Sequence, residues 1–88
     1  MKNKDFINAD YTETIFYMGI IVSKQFKMEQ KWLVIDNYYD CINELVRDYI
    51  SKGYNALNEG LLECINRYVN DNEVLISNRL AQFEVLEY

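Results

Sequence analysis

Tyr38, Ile42, Leu45, Val46, Tyr49 and Ile50 recur at the spacing of a single helix face. At about 100° per residue from Asp36, they share one arc between roughly 180° and 320°. Leu33 and Val34 fall off that arc, so the spacing predicts a helix over residues 36–52 rather than a longer one. Asp36 suits its N-cap, and Ser51-Lys52-Gly53 its C-terminal stop. A helix with one apolar stripe has to bury that stripe against other elements, and this requirement organises the rest of the chain. A second helix is expected from about Asn55 to Val69, with Leu57, Leu61, Cys64, Ile65 and Tyr68 inward and Asn70-Asp71-Asn72 as the following turn. There is no proline, glycine stands only at positions 19, 53 and 60, and no linker is visible, so residues 1–88 read as one small domain.

The flanking segments carry a different signal. Residues 1–10 are polar and read as a loosely held start. Residues 12–22 are dense in β-branched and aromatic types (Thr14, Ile15, Phe16, Tyr17, Ile20, Ile21, Val22), and in residues 26–34 Phe26, Met28, Trp32 and Val34 alternate with Lys27, Glu29 and Lys31. Together they suggest a β-hairpin turning near Ser23-Lys24-Gln25. Its rival is a helix from Tyr11 to Phe26 with Tyr11, Ile15, Met18, Val22 and Phe26 on one face and Asp10/Glu13 resembling a capping box. In residues 73–88, Gln82-Phe83-Glu84-Val85 alternates like a strand, whereas Ile76, Leu80, Phe83 and Glu87 space like a helix. The favoured fold class is α+β: an N-terminal hairpin packed on two consecutive helices with a C-terminal strand returning to it. The alternative is an all-α four-helix bundle. An echo with a period of 23, Asp40-Cys41-Ile42-Asn43-x-x-Val46-x-Asp48 against Glu63-Cys64-Ile65-Asn66-x-x-Val69-x-Asp71, reads as two helices using the same core chemistry rather than as a repeat.

Composition excludes several function classes. The chain has no histidine, no Walker or glycine-rich phosphate loop and no zinc-hydrolase motif, and its two cysteines fall short of a structural zinc site or a disulfide scaffold. No cofactor, metal or enzymatic activity is therefore expected. No apolar run approaches the ~18 residues that span a bilayer, and no signal peptide is legible, so the expected location is the cytoplasm. Charge is distributed unevenly. Residues 1–35 carry five lysines against four acids, and residues 36–88 carry ten acids against four bases. The acidic part should repel nucleic acid and anionic membranes and attract basic surfaces.

That charge is most ordered on the first predicted helix. Asp36, Asp40, Glu44 and Asp48 recur every fourth residue, about 6 Å apart along the axis at ~1.5 Å per residue. They drift through about 0° to 120°, nearly opposite the apolar arc, and so face solvent or a partner. The like-charge pairs cost only about 1 kcal/mol in all, little enough for an ordinary solvated face. Tyr39 lies at the edge of this rail, and Tyr54 in the inter-helix turn. Exposed tyrosine beside carboxylates suits an arginine-rich partner. Glu59 and Glu63 extend the same charge onto the second helix.

Small, acidic, tyrosine-rich and without catalytic motifs, the chain resembles in composition the phage- and mobile-element-encoded inhibitors of restriction or CRISPR nucleases. No stretch matches a family motif, so no residue roles follow from this resemblance. It implies a non-enzymatic module in which Asp36, Tyr39, Asp40, Glu44, Asp48, Glu59 and Glu63 occupy a basic, nucleic-acid-binding surface of a partner enzyme such as a nuclease, without binding nucleic acid directly. The alternative function is a homo-oligomeric structural or regulatory subunit, a homodimer in its simplest form.

Overall fold

The structure, a computed structural model, describes residues 2–28, 36–54 and 59–85. They form four helices in chain order: α1 (Lys2–Gln25), α2 (Asp36–Ser51), α3 (Leu61–Asp71) and α4 (Glu73–Gln82). The described residues contain no strand. The architecture is the all-helical alternative, and the α+β expectation is overturned. Residues 12–22, expected as the first hairpin arm, and Ser23-Lys24-Gln25, expected as its turn, all lie in α1, and most of the segment expected to hold the C-terminal strand is α4. Most of the second hairpin arm, including Trp32 and Val34, lies outside the described residues, as do Leu57 and residues 86–88.

Helix α1 is helical despite its β-rich composition because it packs against both α2 and α3. Met18 and Val22 are fully buried, and Tyr11, Ile15, Tyr17, Ile21 and Phe26 are partly buried against the same core. Phe16, 50% exposed, and Ile20 add apolar groups outside that face, which blurs the single stripe that would have announced the helix. The stripe from Tyr11 to Phe26 does face the core. The helix nevertheless starts at Lys2, so the polar opening residues are helical and Asp10 sits mid-helix rather than in a capping box.

The ends of the helices explain why Ser23-Lys24-Gln25 looked like a turn. The Lys27 amide donates to the Lys24 carbonyl at 3.2 Å and the Met28 amide to the Ser23 carbonyl at 2.9 Å, with Lys27 at φ 55°. This is a Schellman cap, in which the residue after the helix turns left-handed so that the last carbonyls find donors. Helix α2 ends the same way, through Gly53 (φ 89°) and the bonds Gly53 to Ile50 and Tyr54 to Tyr49. Helix α4 repeats it with Glu84 (φ 61°), through the bonds Glu84 to Ala81 and Val85 to Leu80. The Phe83–Val85 alternation is thus a helix cap and not a strand.

Helix α2 follows the sequence reading closely, and α3 follows it in its inward face but not in its bounds. Tyr38, Cys41, Ile42, Leu45, Val46 and Tyr49 are buried from α2, and Cys64, Ile65, Tyr68 and Val69 from α3. Ile76 and Leu80 of α4 complete the core. Ile50, expected inward, is 54% exposed, because it stands at the edge of the apolar arc while its neighbour Tyr49 takes the buried position. Helix α3 begins at Leu61 rather than Asn55. Gly60, at φ 80° and ψ 151°, starts it with a conformation closed to most side chains. Asn70 and Asp71 belong to α3, which leaves Asn72 alone to join it to α4. The Asn72 amide ends α3 on the Tyr68 carbonyl, and the Asn72 carbonyl accepts from Ile76 in α4.

Where α2 crosses α1, the buried Tyr38 hydroxyl donates to the Gly19 carbonyl at 2.6 Å. Tyr11 of α1 is hydrogen-bonded to Asn43 of α2. These two bonds fix the register between the helices.

Left-handed backbone costs an L-residue roughly 1–2 kcal/mol, which glycine avoids. Lys27→Gly is therefore expected to stabilise the fold by about 0.5–1 kcal/mol after the added chain entropy of glycine. Urea unfolding checks this as a higher midpoint at unchanged slope, and a lower midpoint would contradict the cap.

Candidate functional site

The outward side of α2 carries the exposed part of the acidic rail. Tyr39 is 55% exposed, and Asp40 and Glu44 project into solvent. Among the described residues neither carboxylate enters a hydrogen bond or ion pair. Asp36 opens α2, and its side chain lies outside those described. Glu63 is likewise exposed on the first turn of α3.

The lower rung is different. Asp48 accepts the Tyr68 hydroxyl at 2.8 Å and pairs with Lys52 Nζ at 2.8 Å. Burial alone would push its carboxyl up, but the hydrogen bonds from Lys52 and Tyr68 outweigh burial and hold it below the usual carboxylate range. Asp48 is thus the centre of a knot that joins the end of α2 to the α3–α4 junction. Lys52 also donates to Asn72 Oδ1 at 2.8 Å. Asn72 Nδ2 donates to the Tyr68 carbonyl at 2.8 Å, and the Tyr54 hydroxyl donates to Asp71 Oδ2 at 2.8 Å. The rings of Tyr49, Tyr54 and Tyr68 pack on one another with centroids 5.2–5.5 Å apart, Tyr49 stacked on Tyr54 and Tyr68 edge-on to both.

Glu59 is also committed. Arg67 reaches it with two nitrogens, Nη2 at 2.5 Å and Nε at 3.2 Å, while the guanidinium lies 4.8 Å from the centre of the Tyr54 ring. The Arg67 bonds come first among the causes that lower the Glu59 carboxyl. Lys52, Gly53, Tyr54 and Arg67 line a shallow open depression of about 380 Å³. Both of its cations already hold a carboxylate, so it has no unmatched charge with which to draw an anion. Of the seven residues expected to form a binding surface, Tyr39, Asp40 and Glu44 are exposed on α2, with Tyr39 at the edge of the acidic face, and Glu63 is exposed on α3. Asp48 and Glu59 are drawn into the tyrosine knot.

Sequence reasoning did not assign Tyr68, Lys52, Asn72 and Arg67 to one constellation. The echo with period 23 was the available signal. Its equivalent acids, Asp48 and Asp71, each accept a tyrosine hydroxyl, and its equivalent Cys41/Cys64, Ile42/Ile65 and Val46/Val69 are all buried.

The described residues offer little chemistry. Cys41 is buried and its thiol is pushed up to about 12, first by burial and then by the Glu44 carboxylate, with Arg79 opposing. Such a thiol stays protonated and unreactive. Among the described residues no group of three acids or cysteines is placed to hold a metal ion, and no helix is long and apolar enough to cross a membrane. Comparison with protein-family models, with curated proteins and with solved structures finds no match to this chain.

The knot makes stability depend on pH at both ends of the scale. The folded pKa of Asp48 lies below its unfolded value, so its contribution is full above about pH 4 and is lost as pH falls through the folded pKa. Burial raises Tyr38, Tyr49 and Tyr68, with Cys41, Cys64 and Asp48 respectively adding to it, so their contributions are full below about pH 10 and are lost as pH rises past it. Denaturation midpoints are expected to be level between about pH 5 and 9 and to fall on either side. Tyrosinate absorbance from the buried rings should appear together with the loss of helical circular dichroism. Ionisation of all eight tyrosines with the helices intact would contradict the burial described.

Within the knot, two hydroxyls differ in kind. That of Tyr68 has Asp48, whereas that of Tyr49 is buried without a hydrogen-bond acceptor, and the Cys64 thiol beside it is a poor partner. Tyr68→Phe is expected to cost about 1 kcal/mol and Tyr49→Phe close to nothing. Equal losses in chemical denaturation would show that the two hydroxyls are equivalently satisfied.

Proposed function

We propose that this chain is a non-enzymatic acidic binding module that occupies a basic, nucleic-acid-binding surface of a partner enzyme and blocks it stoichiometrically. The observation that carries this reading is the exposed patch of Tyr39, Asp40 and Glu44 on α2, with two carboxylates one helical turn apart and a half-exposed ring beside them. Carboxylates about 6 Å apart along a helix approximate the spacing of successive phosphates, and a tyrosine face receives arginine as a base would. The charge of the chain supports it, since the acids outnumber the bases by ten to four from residue 36 onward. Asp36, in the first turn of α2, and Glu63, exposed on the first turn of α3, add to the negative charge of the chain. Asp48 and Glu59 support it from behind, by fixing the lower end of α2 and the start of α3. A partner of this kind works in the cytoplasm, and two free, buried cysteines suit a reducing compartment.

The test is a double charge reversal, Asp40→Lys with Glu44→Lys, on exposed positions that the core does not use. Helical circular dichroism should be unchanged. Immobilised wild-type chain should retain a nucleic-acid-binding protein from host lysate, release it as salt rises, and lose it to competing duplex DNA. The double variant should retain it at least about tenfold more weakly. Equal retention by the variant, or binding indifferent to both salt and DNA, would sink the proposal.

A further inference from the structure

Helix α1 carries a second, partly exposed seam turned away from the buried Met18 and Val22, with Tyr17 at its edge also packing against the core. Glu13, Tyr17, Ile20 and Lys24 are spaced four, three and four residues apart. At about 100° per residue they fall within an arc of roughly 60°, the geometry of a coiled-coil contact line. Glu13 and Lys24 are exposed, and Tyr17 and Ile20 keep part of their surface open. Phe16 flanks the seam in edge contact with Tyr17 at 5.7 Å and still exposes 50% of its surface.

The spacing four–three–four is symmetric about its centre, and so is the chemistry: an acid at one end, a base at the other and two apolar residues between. When a second copy of α1 is laid antiparallel on the first about a two-fold axis at the midpoint, Glu13 of each faces Lys24 of the other, and Tyr17 of each faces Ile20 of the other. A parallel arrangement would instead set Glu13 against Glu13 and Lys24 against Lys24. Among the described residues neither Glu13 nor Lys24 is committed to an ion pair. A two-fold contact needs a surface that is complementary to itself, and this seam has that property in its charge and its spacing.

We propose that the chain forms an isologous homodimer in which α1 pairs antiparallel with α1 of a second copy along Glu13, Tyr17, Ile20 and Lys24. This goes beyond the binding function inferred from α2 and uses a different helix. The dimer leaves Tyr39, Asp40 and Glu44 open and presents them twice. Two apolar pairs and two ion pairs make a small interface, so association is expected in the micromolar range.

Sedimentation equilibrium on the full chain, from roughly 1 μM to several hundred micromolar, should give a monomer–dimer equilibrium. Glu13→Lys and Lys24→Glu should each weaken it by about tenfold, because each places two like-charged pairs across the axis. The double variant Glu13→Lys with Lys24→Glu should restore it, an outcome that damage to the fold would not produce. Circular dichroism should be the same for all four chains. A monomer throughout the range, or a dimer indifferent to both single reversals, would overturn the proposal. The Asp40→Lys/Glu44→Lys chain should dimerise like wild type, which separates failure of this inference from failure of the binding function.

Discussion

Tyrosine is an awkward residue with which to fill a core. It brings a large apolar ring, but its hydroxyl has to reach an acceptor or lose the hydrogen bonds it had in water. This chain uses tyrosine at the points where its helices meet. Tyr38 ties α2 to the backbone of α1 at Gly19, Tyr11 ties α1 to Asn43, Tyr68 ties α3 to Asp48, and Tyr54 ties the turn after α2 to Asp71. Hydrophobic burial brings the helices together without direction, and each of these hydroxyls supplies one. In an 88-residue chain with a thin core, such directional ties select one packing among many of similar apolar area.

The same economy bears on the acidic face. A carboxylate on a helix surface is either a partner for the protein itself or one for something else. Asp48 and Glu59 belong to the first kind, held by Lys52 with Tyr68 and by Arg67 respectively. Asp40 and Glu44 belong to the second. Regular spacing in the sequence therefore concealed a division of labour along α2, with its upper half open to solvent and its lower half anchoring the molecule.

What could be read from the sequence follows from how cleanly each helix gathers its apolar residues onto one face. Helices α2 and α3 each bury one face, so their apolar period located them, and Gly53 ended α2 where expected, whereas α3 starts and ends later than its turn residues suggested. Helix α1 carries apolar side chains outside its buried face as well, with Phe16 50% exposed and Ile20 partly so, and its Thr14, Ile15, Ile20, Ile21 and Val22 then look like a strand. Helix α4 contributes only Ile76 and Leu80 in full, too few to establish a period, and its cap at Glu84 imitates an alternating strand. The exposed acids of the site were legible because exposure is the opposite of a periodic apolar arc. The capture of Asp48 was not, because its partner Tyr68 stands twenty residues away and only the packed fold brings them together.

The knot at the end of α2 also has a kinetic meaning. The last turn of a helix ordinarily frays, and its amides exchange with solvent through small local openings. Here that turn is joined through Asp48, Lys52 and Tyr54 to Tyr68, Asn72 and Asp71, across the α3–α4 junction. Opening it would strip buried rings from one another and release three hydrogen bonds together. The end of α2 is therefore coupled to α3, and fraying there costs more than at an untied helix end.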